Sequence, residues 1–176
     1  MRRVSVFAFV SCLMAAPAFA QETPSFDVSG GYSFLRDQEV EENFHGWVAS
    51  VTGNLSPLLG ITGEIGGNYK TVDVIGTDVS LSVHSFLVGP RLAARTNPAF
   101  TPFVHVLDGA ARGSASVLGQ SESATDFALQ PGGGVDFWVR ENVGVRAGAD
   151  YRRVFSEGEG SNEFRFQLGI VLAVPR

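Results

Sequence analysis

One stretch constrains the fold of this chain more than any other: Glu163-Phe164-Arg165-Phe166-Gln167-Leu168-Gly169-Ile170-Val171-Leu172-Ala173-Val174. Phe164, Phe166, Leu168, Ile170, Leu172 and Val174 are all large and apolar, and the intervening set opens with Glu163, Arg165, Gln167 and Gly169. A period of two puts the two sets on opposite faces of an extended strand. Two architectures accept such a strand. In a soluble sheet the apolar face covers a core and the polar face meets water; in a membrane barrel the apolar face meets lipid and the polar face lines the lumen.

Seven earlier stretches show a similar division. Phe26 to Leu35 sets Phe26, Val28, Tyr32 and Phe34 against Asp27, Ser29 and Ser33, and a strand at about 44 to 55 sets Trp47, Ala49, Val51 and Leu55 against Ser50, Thr52 and Asn54. Leu59 to Lys70 opposes Leu59, Ile61, Ile65 and Tyr69 to Thr62, Glu64, Asn68 and Lys70. Asp78 to Arg91 reads with Val79, Leu81, Val83 and Leu87 on the apolar face and Ser80, Ser82, His84 and Phe86 on the other. In Pro102 to Arg112, placing Asp108 and Arg112 on the polar face leaves Phe103, His105, Leu107 and Ala111 opposite, with His105 the misfit at the interface. Asp126 to Val139 opposes Phe127, Leu129, Val135, Phe137 and Val139 to Gln130 and Asp136, and Pro131 with Gly132-Gly133-Gly134 predicts a bulge or sharp bend there. Val143 to Val154 opposes Val143, Val145, Ala147, Ala149 and Tyr151 to Arg146, Asp150 and Arg152.

Polar loops fill the gaps at 36–43, 71–77, 113–125 and 156–162, alternating with turns at Ser56-Pro57-Leu58, at 92–101, which is longer than the first, and at Arg140-Glu141-Asn142. That gives eight strands. No stretch after the first twenty residues sustains apolar residues at i, i+3, i+4 and i+7.

The first twenty residues read as a secretory signal: Arg2 and Arg3, an apolar run from Val4 to Ala16, then Ala18-Phe19-Ala20 as a small-x-small cleavage site. Cleavage after Ala20 makes residues 1–20 the signal peptide and 21–176 a single domain. The sole cysteine, Cys12, leaves with the signal, so the mature chain holds no disulfide or thiolate metal site. Removing Arg2 and Arg3 from thirteen basic residues leaves eleven against eighteen acidic ones, a net charge of −7. A nucleic-acid partner, which wants a basic stripe, is excluded on that ground.

The charges favour lipid over a soluble core. Glu64, Lys70, Asp108, Arg112, Asp136, Arg146, Asp150, Arg152 and Arg165 all read opposite the apolar faces. A lipocalin-like soluble binding barrel keeps charge outside and apolar groups within, the inverse arrangement. An eleven-residue strand is about 36 Å long, and a tilt of about 40 to 45° reduces its height to about 26 Å, the height of an apolar membrane band. Aromatics near strand ends, among them Phe26, Trp47, Tyr69, Phe137 and Tyr151, suit interfacial girdles. The expectation is an all-β, eight-stranded antiparallel up-and-down transmembrane β-barrel. An interior of that size holds side chains only, so the nine charged groups are expected to pair across the lumen, joined by Glu163 and Gln167.

The segments Gly89-Pro90-Arg91, Thr101-Pro102-Phe103-Val104-His105, Gly132-Gly133-Gly134-Val135-Asp136, Asp150-Tyr151-Arg152 and Asn162 to Val174 resemble pieces of the small bacterial outer-membrane β-barrel proteins of the OmpA/OmpX type. The resemblance spans the chain after Ala20. It departs where such proteins commonly finish on an aromatic residue, since Val174 is followed by Pro175-Arg176. It implies residence in the bacterial outer membrane, contact with outer-membrane lipid and with the outer-membrane insertion machinery, and a monomeric state. The implied role is structural or surface-interacting, without an open pore.

No metal cluster, phosphate loop, nucleotide fingerprint or cofactor site is recognisable in the sequence. The acidic clusters Glu39-Glu41-Glu42 and Glu157-Glu159 lack calcium-loop spacing and read as solvated loops. A lipid-modifying enzyme is the rival class, with His84 and Ser82, two apart on one face, as its best pair; a nucleophile also needs an oriented base, for which the sequence supplies no clear third member. His84 and His45 otherwise read as polar lumen or rim groups, and His105 as an interfacial one.

Overall fold

The computed structural model describes residues 23–38, 42–74, 77–117, 120–156 and 160–175, without the side chains of 72–78 and 117–120. The predicted signal peptide, Glu39, Glu41, Glu157 and Glu159 lie outside the described residues. Eight strands follow one another: β1 (Phe26–Asp37), β2 (Asn43–Asn54), β3 (Leu59–Val74), β4 (Thr77–Ala93), β5 (Phe100–Val117), β6 (Gln120–Arg140), β7 (Val143–Phe155) and β8 (Gly160–Val174). Each pairs antiparallel with its neighbour, and β8 pairs with β1 from Phe26↔Val174 to Asp37↔Glu163, so the sheet closes on itself. Closure leaves no unpaired edge among the strands.

The register fixes the tilt. A row of partners that starts at Val154 on β7 passes through Ala128, Gly109, Leu87, Glu64, Ser50, Ser29 and Val171 and returns to β7 at Gly144. The stagger is therefore ten residues, from 154 to 144. Ten residues of rise shared around eight strands demand a tilt of about 40°, within the range of membrane barrels.

At one end the connections are short, at 55–58, 94–99 and 141–142, and at the other the strands run on as hairpins. β5 and β6 stay paired as far as Val117↔Gln120. The stretch 113–125, expected as a loop, is thus mostly ladder. The bend expected at Pro131 is likewise absent: Leu129 faces Arg153 and Gly132 faces Asp150 in one unbroken register, with the only shift between Trp138 and Arg140. Pro131 points outward and forfeits a donor without moving the strand.

Alternation along the strands sorts residues into an outer wall and a lumen. The outer wall carries Phe26, Val51, Ile61, Ile65, Phe86, Val88, Val104, Val106, Phe137, Phe166, Leu168 and Ile170, all exposed. Phe26, Phe100 and Phe137 ring its short-turn end, and Tyr32, Trp47, Tyr69, Phe86, Phe127 and Phe164 ring the other. The lumen carries the charges, with an apolar cluster of Leu87, Leu107, Ala111, Ala128 and Val154 towards the hairpin end. A lipocalin-like barrel is ruled out by this orientation, since Arg165 is buried between exposed Phe164 and Phe166.

Two strands differ in phase from the sequence reading. On β4, Leu87 is inside and Phe86 outside, so Arg91 points into the lumen and Ser82 and His84 lie on the outer face. On β5, Phe103, His105, Leu107 and Ala111 are inside, and Asp108 and Arg112 outside. The cause lies in the projecting hairpins. Val79, Leu81 and Val83 are apolar but point inward, above the level where the outer wall must be apolar, so β4 reverses its polarity along its length. Asp108 sits on the outer wall in register with Val88 and Leu129, and Arg112 with His84 and Thr125.

Candidate functional site

The feature of the molecule richest in chemistry is its lumen. Among the described residues it buries Arg91, Arg95, Arg146, Arg152 and Arg165 against Asp27, Glu64, Asp136, Asp150 and Glu163, five cations against five carboxylates. Burial of a lone charge costs several kcal/mol, so the arrangement depends on pairing.

At the short-turn end, Arg95 leaves the turn after β4 and closes the mouth. Its Nη2 donates to Asp27 Oδ2 and Asn54 Oδ1, both at 2.9 Å, and its Nη1 to the Pro57 carbonyl at 2.9 Å. Above it, Asp136 on β6 takes two guanidinium groups. Arg146 grips it bidentately, Nε to Oδ1 at 2.7 Å and Nη2 to Oδ2 at 2.9 Å, while Arg91 Nη2 donates to Oδ2 at 2.8 Å. Fork-to-carboxylate pairing of this kind fixes geometry as well as charge. Hydroxyls of Ser29 and Ser50 accept from Arg146 Nη1, and that of Thr52 accepts from Arg91 Nη1. Phe103 lies against both cations, its ring centre 3.9 Å from Arg91 Cζ and 4.9 Å from that of Arg146, which explains why an aromatic belongs on the inner face of β5.

The third layer joins opposite walls. Arg165 on β8 donates to Asp150 Oδ2 on β7 at 2.6 Å and lies 2.8 Å from Glu64 Oε1 on β3. Gln130 Nε2 donates to Glu64 at 3.0 Å and its Oε1 accepts from Arg152 Nε at 2.8 Å. Arg152 continues to Glu163 at 3.2 Å and Ser85 at 3.2 Å. His105 Nε2 meets Asp150 Oδ1 at 2.8 Å. Room for Asp150 comes from Gly132 opposite, where a Cβ would lie 1.9 Å from Oδ1. A void beside Ser29, Val48, Arg146 and Gln167 is too small to admit a water molecule.

Of the nine charged residues expected in the lumen, the structure places Glu64, Asp136, Arg146, Asp150, Arg152 and Arg165 inside and joined to one another or to neighbours. Lys70 stands at the hairpin-end rim, paired with Glu42. Asp108 and Arg112 are on the outer wall, a correction: the inner face of β5 is taken by Phe103 and His105, which pack on Arg91, Arg146 and Asp150. His105, expected at the lipid interface, is therefore a lumen residue. Arg91 and Arg95 went unrecognised. For Arg91 a signal existed: Phe86, Val88, Pro90 and Leu92 form an apolar face whose opposite carries it.

His84 and Ser82, the candidate catalytic pair, share the outer face, but His84 Nε2 engages Tyr69 OH at 3.1 Å and no carboxylate meets its ring. Among the described residues, no cluster of His, Cys, Asp and Glu converges as a metal site would.

An apolar wall between two aromatic rings, a charged lumen and alternating short and long connections define a transmembrane β-barrel of the bacterial outer membrane. The profile of the outer membrane protein beta-barrel domain matches residues 5–172, and the chain belongs to that family. No curated protein sequence matches. Several solved barrels are similar in fold. Ail, the attachment invasion locus protein of Yersinia pestis, in complex with the heparin analogue sucrose octasulfate, shares 20% identity at a TM-score of 0.65, over 85% of this chain and 98% of that one. Neisserial surface protein A shares 15% at 0.71, over 85% and 97%. OprG from Pseudomonas aeruginosa shares 9% at 0.59, over 88% and 98%.

Proposed function

We propose that this protein is a closed outer-membrane barrel, a wall element with a structural or surface-interaction role whose lumen is a plug of paired charges and no pore. The observation that carries this reading is the balance of the interior: five arginines and five carboxylates, each hydrogen-bonded, in three layers from Arg95 to Arg152. Opening a path for ions requires separating these pairs.

The role is non-enzymatic on this reading. His84 bonds Tyr69 through Nε2 with no carboxylate among the described residues to orient its ring, and the carboxylate that does meet a histidine ring, that of Asp150 on His105, is sealed in the lumen away from lipid. The barrel acts as a monomer inserted by the outer-membrane assembly machinery, and its hairpins face the exterior. The complex of the Yersinia pestis barrel with a sulfated sugar gives a surface-interaction role precedent on this fold. Liposomes carrying the purified protein should not swell in an isotonic solution of a five-carbon sugar. Swelling at the rate of a general porin overturns the plug.

A further inference from the structure

The hairpin end of the barrel carries an outer-face pattern that the lumen does not explain. Phe86, Ala110 and Phe127 are register partners and mark the top of the apolar wall across β4, β5 and β6. Two residues further from the short-turn end, the corresponding outer row is His84, Arg112 and Thr125. The next is Tyr69, Ser82, Ser114 and Ser123, and the one beyond it Thr71, Ser80, Ser116 and Ser121. Three consecutive rows on four adjacent strands thus present hydroxyls around one guanidinium and one imidazole. Apolar Leu81 and Val83, with Ala115, take the opposite face of the same sheet.

At a tilt of about 40° each two-residue step along a strand rises about 5 Å, so His84 and Arg112 stand about 5 Å above Phe86 and Ala110 on their own strands, and Ser82 and Ser114 about 10 Å above them. That is headgroup depth. The surface faces sideways, into the leaflet, and short connections mark the opposite end as periplasmic, so the leaflet is the outer one. Arg112 spends Nη2 on Ser123 Oγ at 2.8 Å, which leaves Nη1 and Nε to donate. His84 uses only Nε2, on Tyr69, whose OH also accepts from Trp47 Nε1 at 3.4 Å. The nearest outer-face carboxylate on the same strand, Asp108, lies four residues down, about 13 Å away.

We propose that this outer face of β3 to β6, centred on Arg112 and His84, binds the phosphorylated sugar headgroup of an outer-leaflet glycolipid. A phosphate takes the free N–H groups of Arg112 and the ring of His84. Sugar hydroxyls exchange hydrogen bonds with the serine rows, while the acyl chains lie along Phe86, Val88 and Phe127. A phosphodiester lipid without sugars meets only the first of these contacts.

The test is native mass spectrometry of the full chain released from detergent after incubation with lipid A, dephosphorylated lipid A or phosphatidylglycerol. Lipid A is expected to stay bound, with the dephosphorylated form retained about tenfold less for the loss of one charge-assisted contact, and phosphatidylglycerol, which keeps a phosphate, about tenfold less for the loss of the sugar hydrogen bonds to the serine rows. Arg112→Gln should lower lipid A retention about tenfold. Arg153→Gln, which removes an outward arginine on β7 away from the serine rows, should leave it unchanged. A heat-modifiability gel establishes that every variant is folded. Equal retention of phosphatidylglycerol, an unaffected Arg112→Gln, or an equal loss in Arg153→Gln overturns the proposal. So does binding of a soluble sulfated polysaccharide in place of lipid A, which makes the surface a docking site for a partner outside the membrane.

Discussion

Arg165 Nη2 lies 2.8 Å from Glu64 Oε1 across the lumen, joining β8 to β3, strands related through β1 and β2. The same nitrogen donates to Asp150 at 2.6 Å, so one guanidinium ties three strands together. Replacing Glu64 by Gln keeps the volume and removes one of two countercharges. Removing Arg165 leaves two carboxylates, Glu64 and Asp150, without their shared cation. Arg165→Met should therefore be the worse change, destabilising by about 3 to 5 kcal/mol, with Glu64→Gln at about half that. Equilibrium unfolding in urea with the barrel in lipid vesicles measures both. The double variant should cost less than the sum of the two, because Asp150 alone, and no longer Glu64 as well, is then left without the shared cation.

Gly132 and Gly63 make a matched pair of glycine tests. A Cβ on Gly132 collides with the Asp150 carboxylate, whereas one on Gly63 meets nothing within 4 Å on the outer wall. Gly132→Ala should lower the unfolding midpoint by an amount comparable to loss of a lumen ion pair, about 2 kcal/mol or more. Gly63→Ala should stay within about 0.5 kcal/mol. Equal effects would show that the Asp150 cluster is not closed against β6.

Asp108 offers the sharpest test of the β5 phase. On the outer wall, between Val88 and Leu129, its charge meets lipid near the upper interface, so Asp108→Ala should be neutral or stabilising by up to about 1 kcal/mol. Asp150→Ala, from within the lumen, should destabilise by about 3 kcal/mol or more. A strongly destabilising Asp108→Ala would return that residue to the interior.

The two tryptophans report depth. Trp47 stands exposed in the aromatic ring at the hairpin end, and Trp138 is half-buried at the short-turn end with Nε1 donating to Thr101 Oγ1 at 3.0 Å. In vesicles containing brominated lipid, Trp138→Phe should leave an emission that is strongly quenched, and Trp47→Phe one that is only weakly quenched. The reverse order contradicts the assigned faces.

Much of this was legible in the residues themselves. β8 and β7 alternate cleanly because each spans little more than the membrane, so every apolar residue on the outer face answers to one solvent. The lumen positions of Arg146, Asp150, Arg152 and Arg165 follow from that alternation. β4 and β5 were misread because they outrun the bilayer. Val79, Leu81 and Val83 are apolar for a reason unconnected with lipid, and their phase, carried down the strand, put Leu87 outside and hid Arg91. On β5 the rule that charge belongs inside failed because Asp108 and Arg112 lie high on the wall, while the space within was needed for Phe103 and His105. Arg95 was invisible for a different reason: it belongs to a turn, and only the closed barrel brings it over Asp27.

The central claim is that the paired charges close the lumen. Reconstitution of the purified protein in planar bilayers tests it directly, by recording current under an applied voltage in molar salt. A membrane that stays silent while a heat-modifiability gel shows folded barrel is the predicted result. Steady openings on the nanosiemens scale from the same preparation would contradict it.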